Sequence, residues 1–467
     1  MVQVSKVLSE FASSLTYEGL PKEVQTRSKQ LILDLVGNII RARHDAESTP
    51  SVISAMKRLG YGNGKCTVLG DTDSYSAPGA AMINGTLAHS LDFDDTHSAG
   101  SIHSGAPIVP AAFAVAEMVG ASGKDLIVAI VAGYEIQIRL SLALVPSDHY
   151  DRGFHPTATC GIFGAAAAAG KLMGLDAAGI ARAFGVALSQ SAGSMQFLHE
   201  GGWTKRSHVG QAAMNGVIAA TMADEGFRGA IDPIEGKNGF LNSYAPSANP
   251  SRAIEGLNTD WELLNVGVKP YPSCRYSHAP LDAIVALRAA HNILPEEIRK
   301  VTVGVSETGW KIIGDSDAKK HRPKSIVDGQ FSMPFCAAVA LQTGGLSWDD
   351  YNQYLSNSDT LDLCKLVTTV VDDKANAALP NNMAGNVVIE TSRGTFDQFI
   401  EMPKGEPGNF VSNEELMEKF TGLAAPYMEP AALNDLALGL LDLDAINSVS
   451  GLLQHGRQYE AVALAGE

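Results

Sequence analysis

The sequence predicts a mainly α protein, in which a large all-helical domain is joined to a smaller α+β domain, and three observations carry that expectation. From Val4 to about residue 260 apolar residues recur three to four positions apart. Two segments of that stretch are so rich in Gly and Ala that only closely packed helices account for them. Beyond Trp261 the texture changes to prolines and β-branched alternation.

The helical stripe is clearest at Val24, Ile32, Leu35, Val36, Ile39 and Ile40. The small-residue helices are expected over Cys160 to Leu172 (CGIFGAAAAAGKL) and Gly210 to Met222. In the second domain, Lys300 to Ser306 alternates as a half-buried strand does. Asn386 to Ile400 reads as a hairpin whose turn, Arg393-Gly394, uses glycine for positive φ. Helices are expected around Pro280 to Asn292 and Phe331 to Thr343, and helical periodicity returns after Asn413. The expected division is residues 1–265 with 410–467 for the helical domain and 266–409 for the α+β domain.

With 467 residues, of which 45% are hydrophobic, the chain can bury two cores without disulfides or structural metals. Its net charge of −16 argues against nucleic acid and anionic membrane surfaces, which demand a basic footprint. Against that acidity, a local cluster of cations and imidazoles is informative, because an anionic substrate needs a positive pocket. Five dispersed cysteines, with no CxxC pair, point to a reducing, cytoplasmic setting. The first residues lack the pattern of a secretory signal, and apolar runs such as Leu126 to Gly133 are too short to cross a bilayer.

Four segments could carry chemistry. His89 to His103 (HSLDFDDTHSAGSIH) packs three carboxylates and three imidazoles at the end of an apolar helix. Its imidazoles suit proton transfer, with an unperturbed pKa of about 6.5. A metal set of Asp92, Asp94, Asp95 and His97 is also open, and a solvated loop at a helix end is the plain alternative. Arg152 to Thr157 places His155 at a loop-to-helix junction, where unpaired N–H groups attract anions. Gly201 to His208 (GGWTKRSH) offers Lys205 and Arg206 as a carboxylate clamp ahead of the helix from Gly210, or else as solvated loop charges. Lys269 to His278 (KPYPSCRYSH) displays cations, hydroxyls, a thiol and an imidazole on a proline-stiffened backbone, or else is an interdomain connector. There is no GxSxG elbow around Ser191 or Ser194. GYGNGKC at Gly60 to Cys66 has glycine spacing too short for a phosphate loop, and the cysteine spacing does not suit an iron–sulfur cluster.

In order, LDFDDTH, GFHPTATCG, GGWTKRSHVGQAAMNG and KPYPSCRYSHAPLDA resemble the successive motifs of the MmgE/PrpD family, over essentially the whole chain. That family contains 2-methylcitrate dehydratase, cis-aconitate decarboxylase and iminodisuccinate epimerase, which share proton chemistry beside carboxylates. The resemblance implies that the smaller domain is a lid, that the active site lies in the cleft it covers, that the chain forms a homodimer, and that no cofactor is used. Carried over residue by residue, it implies catalytic roles for Asp92, His103, His155, Lys205 and Lys269. Substrate contacts are expected from Thr96, Tyr271, Arg275 and His278 as well as the two lysines.

The mechanism expected is removal of a proton beside a carboxylate of a small polycarboxylic acid. Lys205, Lys269 and Arg275 would offset the enediolate charge, with His103 or His155 as base, the other imidazole as acid and Asp92 orienting an imidazole. Lys269 could instead carry the proton if burial lowers its pKa. Dehydration of the 2-methylcitrate type is placed first, with decarboxylation or epimerisation as alternatives. A metal-dependent hydrolase and a non-catalytic carboxylate binder are rivals from other classes.

Overall fold

Helices form where the sequence places its apolar stripe. In the computed structural model, which describes residues 3–197, 202–314, 318–379 and 381–457, the protein is mainly α. Gly201, first residue of the third motif, lies outside the described residues. The chain divides into two compact units, Met1–Val266 together with Ser412–Glu467, and Gly267–Val411.

In the first unit, α1 (Lys22–Asp45) buries Val24, Ile32, Leu35, Val36, Ile39 and Ile40 completely, as their spacing requires. It is followed by α2 (Ala77–Ala88), α3 (Gly105–Val119), α4 (Gly123–Leu144), α5 (Pro156–Leu172) and α6 (Thr204–Asp224). Helix α6 packs on α2 and α5, and α5 packs on α3 and α4. Small residues set these distances. A Cβ on Gly164 would come within 2.6 Å of the Gly133 carbonyl oxygen, and one on Gly210 would run into the Met82 carbonyl and the Thr86 hydroxyl. The Gly/Ala-rich segments are thus buried at helix crossings, as their composition predicts.

Helix α4 begins at a reciprocal capping box between Ser122 and Asp125. Its 22 residues are long and apolar enough to cross a membrane, although the uninterrupted run in the sequence is not. Within the protein it is a core helix, 94% buried over its most apolar window. It also carries a buried ion pair, Arg139 Nε to Glu135 Oε2 at 2.9 Å. The rest of that guanidinium donates to the carbonyls of Glu255 and Asp260, while Glu135 accepts the Leu263 N–H, so neither charge is stranded.

The second unit is built on β1 (Ile298–Val305), β2 (Val367–Val371), β3 (Gly385–Thr391) and β4 (Thr395–Ile400), in spatial order β2-β1-β3-β4. The β3–β4 hairpin and β1 lie where the alternation places them, with Gly394 at φ +148° in the turn. Strand β2, parallel to β1, is an edge strand that the sequence reading does not anticipate. Its weak inside–outside alternation hides it among helical neighbours. Likewise Gly62–Thr67, in the region read as purely helical, pairs with Ser74–Tyr75. Gly64 of GYGNGKC serves that close pairing, since a Cβ there would collide with the Tyr75 carbonyl.

Candidate active site

The segment from His89 to His103 leaves the end of α2 and is tied to the helices around it at several points. Phe93 O accepts from Asn38 Nδ2 of α1 (3.3 Å) and from Lys419 Nζ (2.8 Å). His97 accepts the Gly100 N–H on Nδ1 (2.9 Å) and meets Glu262 through Nε2 (3.3 Å). Asp95 accepts from the Gly105 N–H at the start of α3 (2.9 Å) and from the Tyr134 hydroxyl of α4 (2.7 Å). The His103 N–H donates to Thr157 Oγ1 of α5 (3.2 Å). The loop is thus fixed, and Asp92 sits in it at φ +52°, a left-handed conformation that Asp tolerates better than most residues.

Four imidazoles meet there. The ring of His89 lies 4.5 Å from that of His103, edge to face, and 5.9 Å from that of His155, stacked; His155 in turn is 5.8 Å from His208. Lys205 joins the first motif through an ion pair with Asp92, 3.0 Å from Nζ to Oδ1. The sequence reading starts a helix at Gly210, but α6 begins at Thr204, so Lys205 and His208 stand three apart in its first turns, on one side. The N-cap residues, Trp203 of α6 and His155 of α5, make no side-chain capping hydrogen bond, and α5 starts immediately after His155. A lysine in the first turn opposes the helix macrodipole and calls for an anionic partner; Asp92 is that partner in this structure.

Electrostatics separates the roles of these groups. Burial pushes His89 down to about 4, against the pull of Asp94. Burial also holds His155 well below the ordinary range, helped by the neighbouring imidazoles and Lys205, and lowers His208. These three rings are neutral at pH 7. For Asp94, burial alone would raise the pKa, but His103 and His89 outweigh it and hold the carboxyl well below its usual value, so it is anionic. Asp95 goes the other way, raised to about 7 by burial and then by Asp94. For Lys205, burial opposes the charge while Asp92 restores it, and the net direction is upward.

The metal set of Asp92, Asp94, Asp95 and His97 is not assembled, because His97 and Asp95 are used by the loop's own scaffold. Among the described residues, the group whose ligand atoms do gather is His89, Asp94 and His103, all within 4.8 Å, which would admit a metal ion. Its closest contact is a direct 2.7 Å hydrogen bond from His89 Nδ1 to Asp94 Oδ2, which a cation seated between them would have to break.

The first unit therefore brings together Asp92, His103, His155 and Lys205. Thr96 lies on the same tied loop, with its hydroxyl buried and without a hydrogen-bond partner. The remaining residues belong to the second unit. Lys269 is buried there. Arg275 is paired with Glu406 at 2.5 Å and contacts His278 Nδ1 at 3.2 Å, so a carboxylate neutralises its charge within its own unit. Tyr271 donates its hydroxyl to Asp282 (2.9 Å), and His278 Nε2 meets the Ser273 carbonyl (3.2 Å). Sequence reasoning names Asp94 only as a possible metal ligand and gives His89 and His208 no role of their own in the site. The signal available was the spacing of His89 and Asp94 across one turn of loop, and of Lys205 and His208 along one helix.

Fold and site together define a mainly helical protein with a buried cluster of imidazoles beside an ion-paired lysine. The family models for the MmgE/PrpD N-terminal domain and C-terminal domain match residues 6–253 and 271–439, and the chain belongs to the MmgE/PrpD family. It is 29% identical over 476 residues to the cis-aconitate decarboxylase-like protein oryM of Aspergillus oryzae, covering 96% of both chains. It is 28% identical to the cis-aconitate decarboxylase of Aspergillus terreus, over 97% of this chain and 95% of that one. With human cis-aconitate decarboxylase it shares 27% identity over 93% and 90% of the respective chains.

Proposed function

We propose that this protein is a lyase acting on a small polycarboxylate, and specifically a decarboxylase of the cis-aconitate type. The relatives favour this over the dehydratase placed first from the sequence, since those compared are named for decarboxylation. The observation that carries the chemistry is the meeting of Lys205, His103 and His155 beside two helix N-termini whose N-cap residues make no side-chain capping hydrogen bond, in a chain of net charge −16. Such a site offsets negative charge where the molecule as a whole repels it.

In decarboxylation of cis-aconitate, the carboxylate on the CH2 carbon departs as carbon dioxide. The electron pair of the broken bond forms a new terminal C=C. The old C=C pair moves to the neighbouring CH carbon, beside its own carboxylate, and takes up one proton there. Charge accumulates on that carboxylate, so a fixed ammonium beside it lowers the barrier. Lys205 is the proposed ammonium, with Asp92 holding it, and Lys269 is proposed as a second carboxylate contact on the strength of its motif. His103, next to anionic Asp94, is the proposed proton donor, while His155, held neutral by burial, lines the site. A homodimer is proposed for the assembly.

The test is incubation with cis-aconitate, 2-methylcitrate and iminodisuccinate in deuterated water, followed by NMR. The expected result is carbon dioxide release from cis-aconitate, with one deuterium on the carbon that accepts the proton. Dehydration of 2-methylcitrate with cis-aconitate left unchanged would overturn the assignment.

A further inference from the structure

Asp94 is not explained by scaffolding. It is fully buried, its Oδ1 has no hydrogen-bond partner among the described residues, and its Oδ2 accepts from His89 Nδ1 at 2.7 Å and lies 3.2 Å from His103 Nδ1. A buried carboxylate with an idle oxygen is costly, and native proteins keep such groups where function requires them. Among the described residues, its neighbour Asp95 shows the contrast, with both oxygens occupied by scaffold donors while Asp94 Oδ1 has none.

We infer that Asp94, steadied by His89, is the positioning residue that fixes the ring of His103, keeping hydrogen on Nδ1 so that Nε2 is the nitrogen that exchanges a proton with substrate. The inference rests on the reading of His103 as proton carrier. The proton inventory leads to it. His89 is neutral and, among the described residues, meets an acceptor only through Nδ1, so its hydrogen lies on Nδ1 and is donated to Asp94; its Nε2 is a buried lone pair without a partner among those residues. His89 therefore orients the carboxylate without cancelling its charge. The uncancelled charge faces His103, whose side chain is 15% exposed while those of His89 and Asp94 are closed off. Both nitrogens of a charged imidazole carry hydrogen; the carboxylate retains the one on Nδ1, so the hydrogen released to carbon leaves from Nε2. The 3.2 Å approach is not aligned as a full hydrogen bond, and catalytic hydrogen bonds in empty sites commonly tighten only with substrate in place.

Asp94→Asn tests this, because the amide can present an N–H to His103 Nδ1 and invert the ring's hydrogen. In triad enzymes the analogous change leaves geometry intact and lowers kcat by about 10⁴. Here kcat is expected to fall by about 10²–10⁴ with KM within about threefold, on the scale of general acid catalysis. Nitrogen-15 NMR of the neutral His103 ring should show hydrogen on Nδ1 in the wild type and on Nε2 in the variant. His89→Gln, which keeps an N–H donor toward Asp94, should lower kcat by less than about tenfold and leave the His103 hydrogen on Nδ1. Wild-type hydrogen on Nε2 overturns the inference, and that measurement requires no variant to fold. An Asp94→Asn protein that stays folded and keeps kcat within threefold also overturns it, as does a stoichiometric divalent ion bound to the wild type and lost in the variant. Wild-type protein that turns over no polycarboxylate, yet shows the Nδ1 hydrogen, would sink the functional reading alone.

Discussion

Lys205→Met removes the ammonium that, among the described residues, the first unit brings to its imidazoles, and the structure allows its two consequences to be separated. At 3.0 Å, the attraction between Lys205 and Asp92 amounts to about 5 kcal/mol gross at an effective dielectric of about 20, much of it offset by desolvation. The side chains are 27% and 13% exposed, so the charge left on Asp92 after substitution is only partly rehydrated, and the expected loss of stability is about 1–3 kcal/mol. The loss of activity has a different origin. A fixed positive group at the carboxylate that gathers charge is worth about 10²–10³ in rate, so kcat/KM on cis-aconitate should fall at least about a hundredfold. Adding Asp92→Asn separates the two: the double variant has no unpaired charge and should recover most of the stability but not the turnover. Thermal or urea unfolding gives the first quantity, and carbon dioxide release the second. If Lys205→Met keeps turnover within tenfold, or if the double variant regains it, the role given to Lys205 is wrong.

Lys269→Ala should lower kcat/KM by at least about a hundredfold, on the general acid–base and charge-stabilisation scale, and, because the side chain is buried, should also lower the denaturation midpoint; a folded variant with a smaller loss of activity removes Lys269 from the proposed mechanism. Gly210→Val should cost about 1–3 kcal/mol, read as a lower denaturation midpoint, because its side chain would press on the Met82 carbonyl and Thr86 at the α2–α6 crossing. His155 is held well below its unfolded value of about 6.5, chiefly by burial, so its neutral form contributes stability in full above that pH and loses it as pH falls through the window below. The Tm advantage of wild type over His155→Gln should therefore shrink from pH 7 to pH 5, and an advantage that grows would contradict the assignment.

The amino-acid sequence determined the local structure wherever one periodicity ruled. Apolar residues three to four apart made α1, Gly and Ala runs marked close helix crossings, alternation marked β1, and two strand-like segments flanking Arg393-Gly394 marked the β3–β4 hairpin. It missed β2 and the Gly62–Thr67 pairing, because an edge strand and a glycine-rich strand are stabilised by partners far along the chain rather than by their own pattern. The same distinction governs the site. Residue types suited to acid–base work at His89–His103, His155 and Lys205 were legible in one dimension, since imidazoles and ammonium groups carry their chemistry with them. Which of them are neutral, and which is paired, was decided only by tertiary structure: burial and through-space distance set those states, and neither is encoded in spacing along the chain. Thus Asp94 and Asp95, adjacent in sequence and identical in kind, are driven in opposite directions, one held anionic between two imidazoles and the other raised to about 7 among scaffold donors.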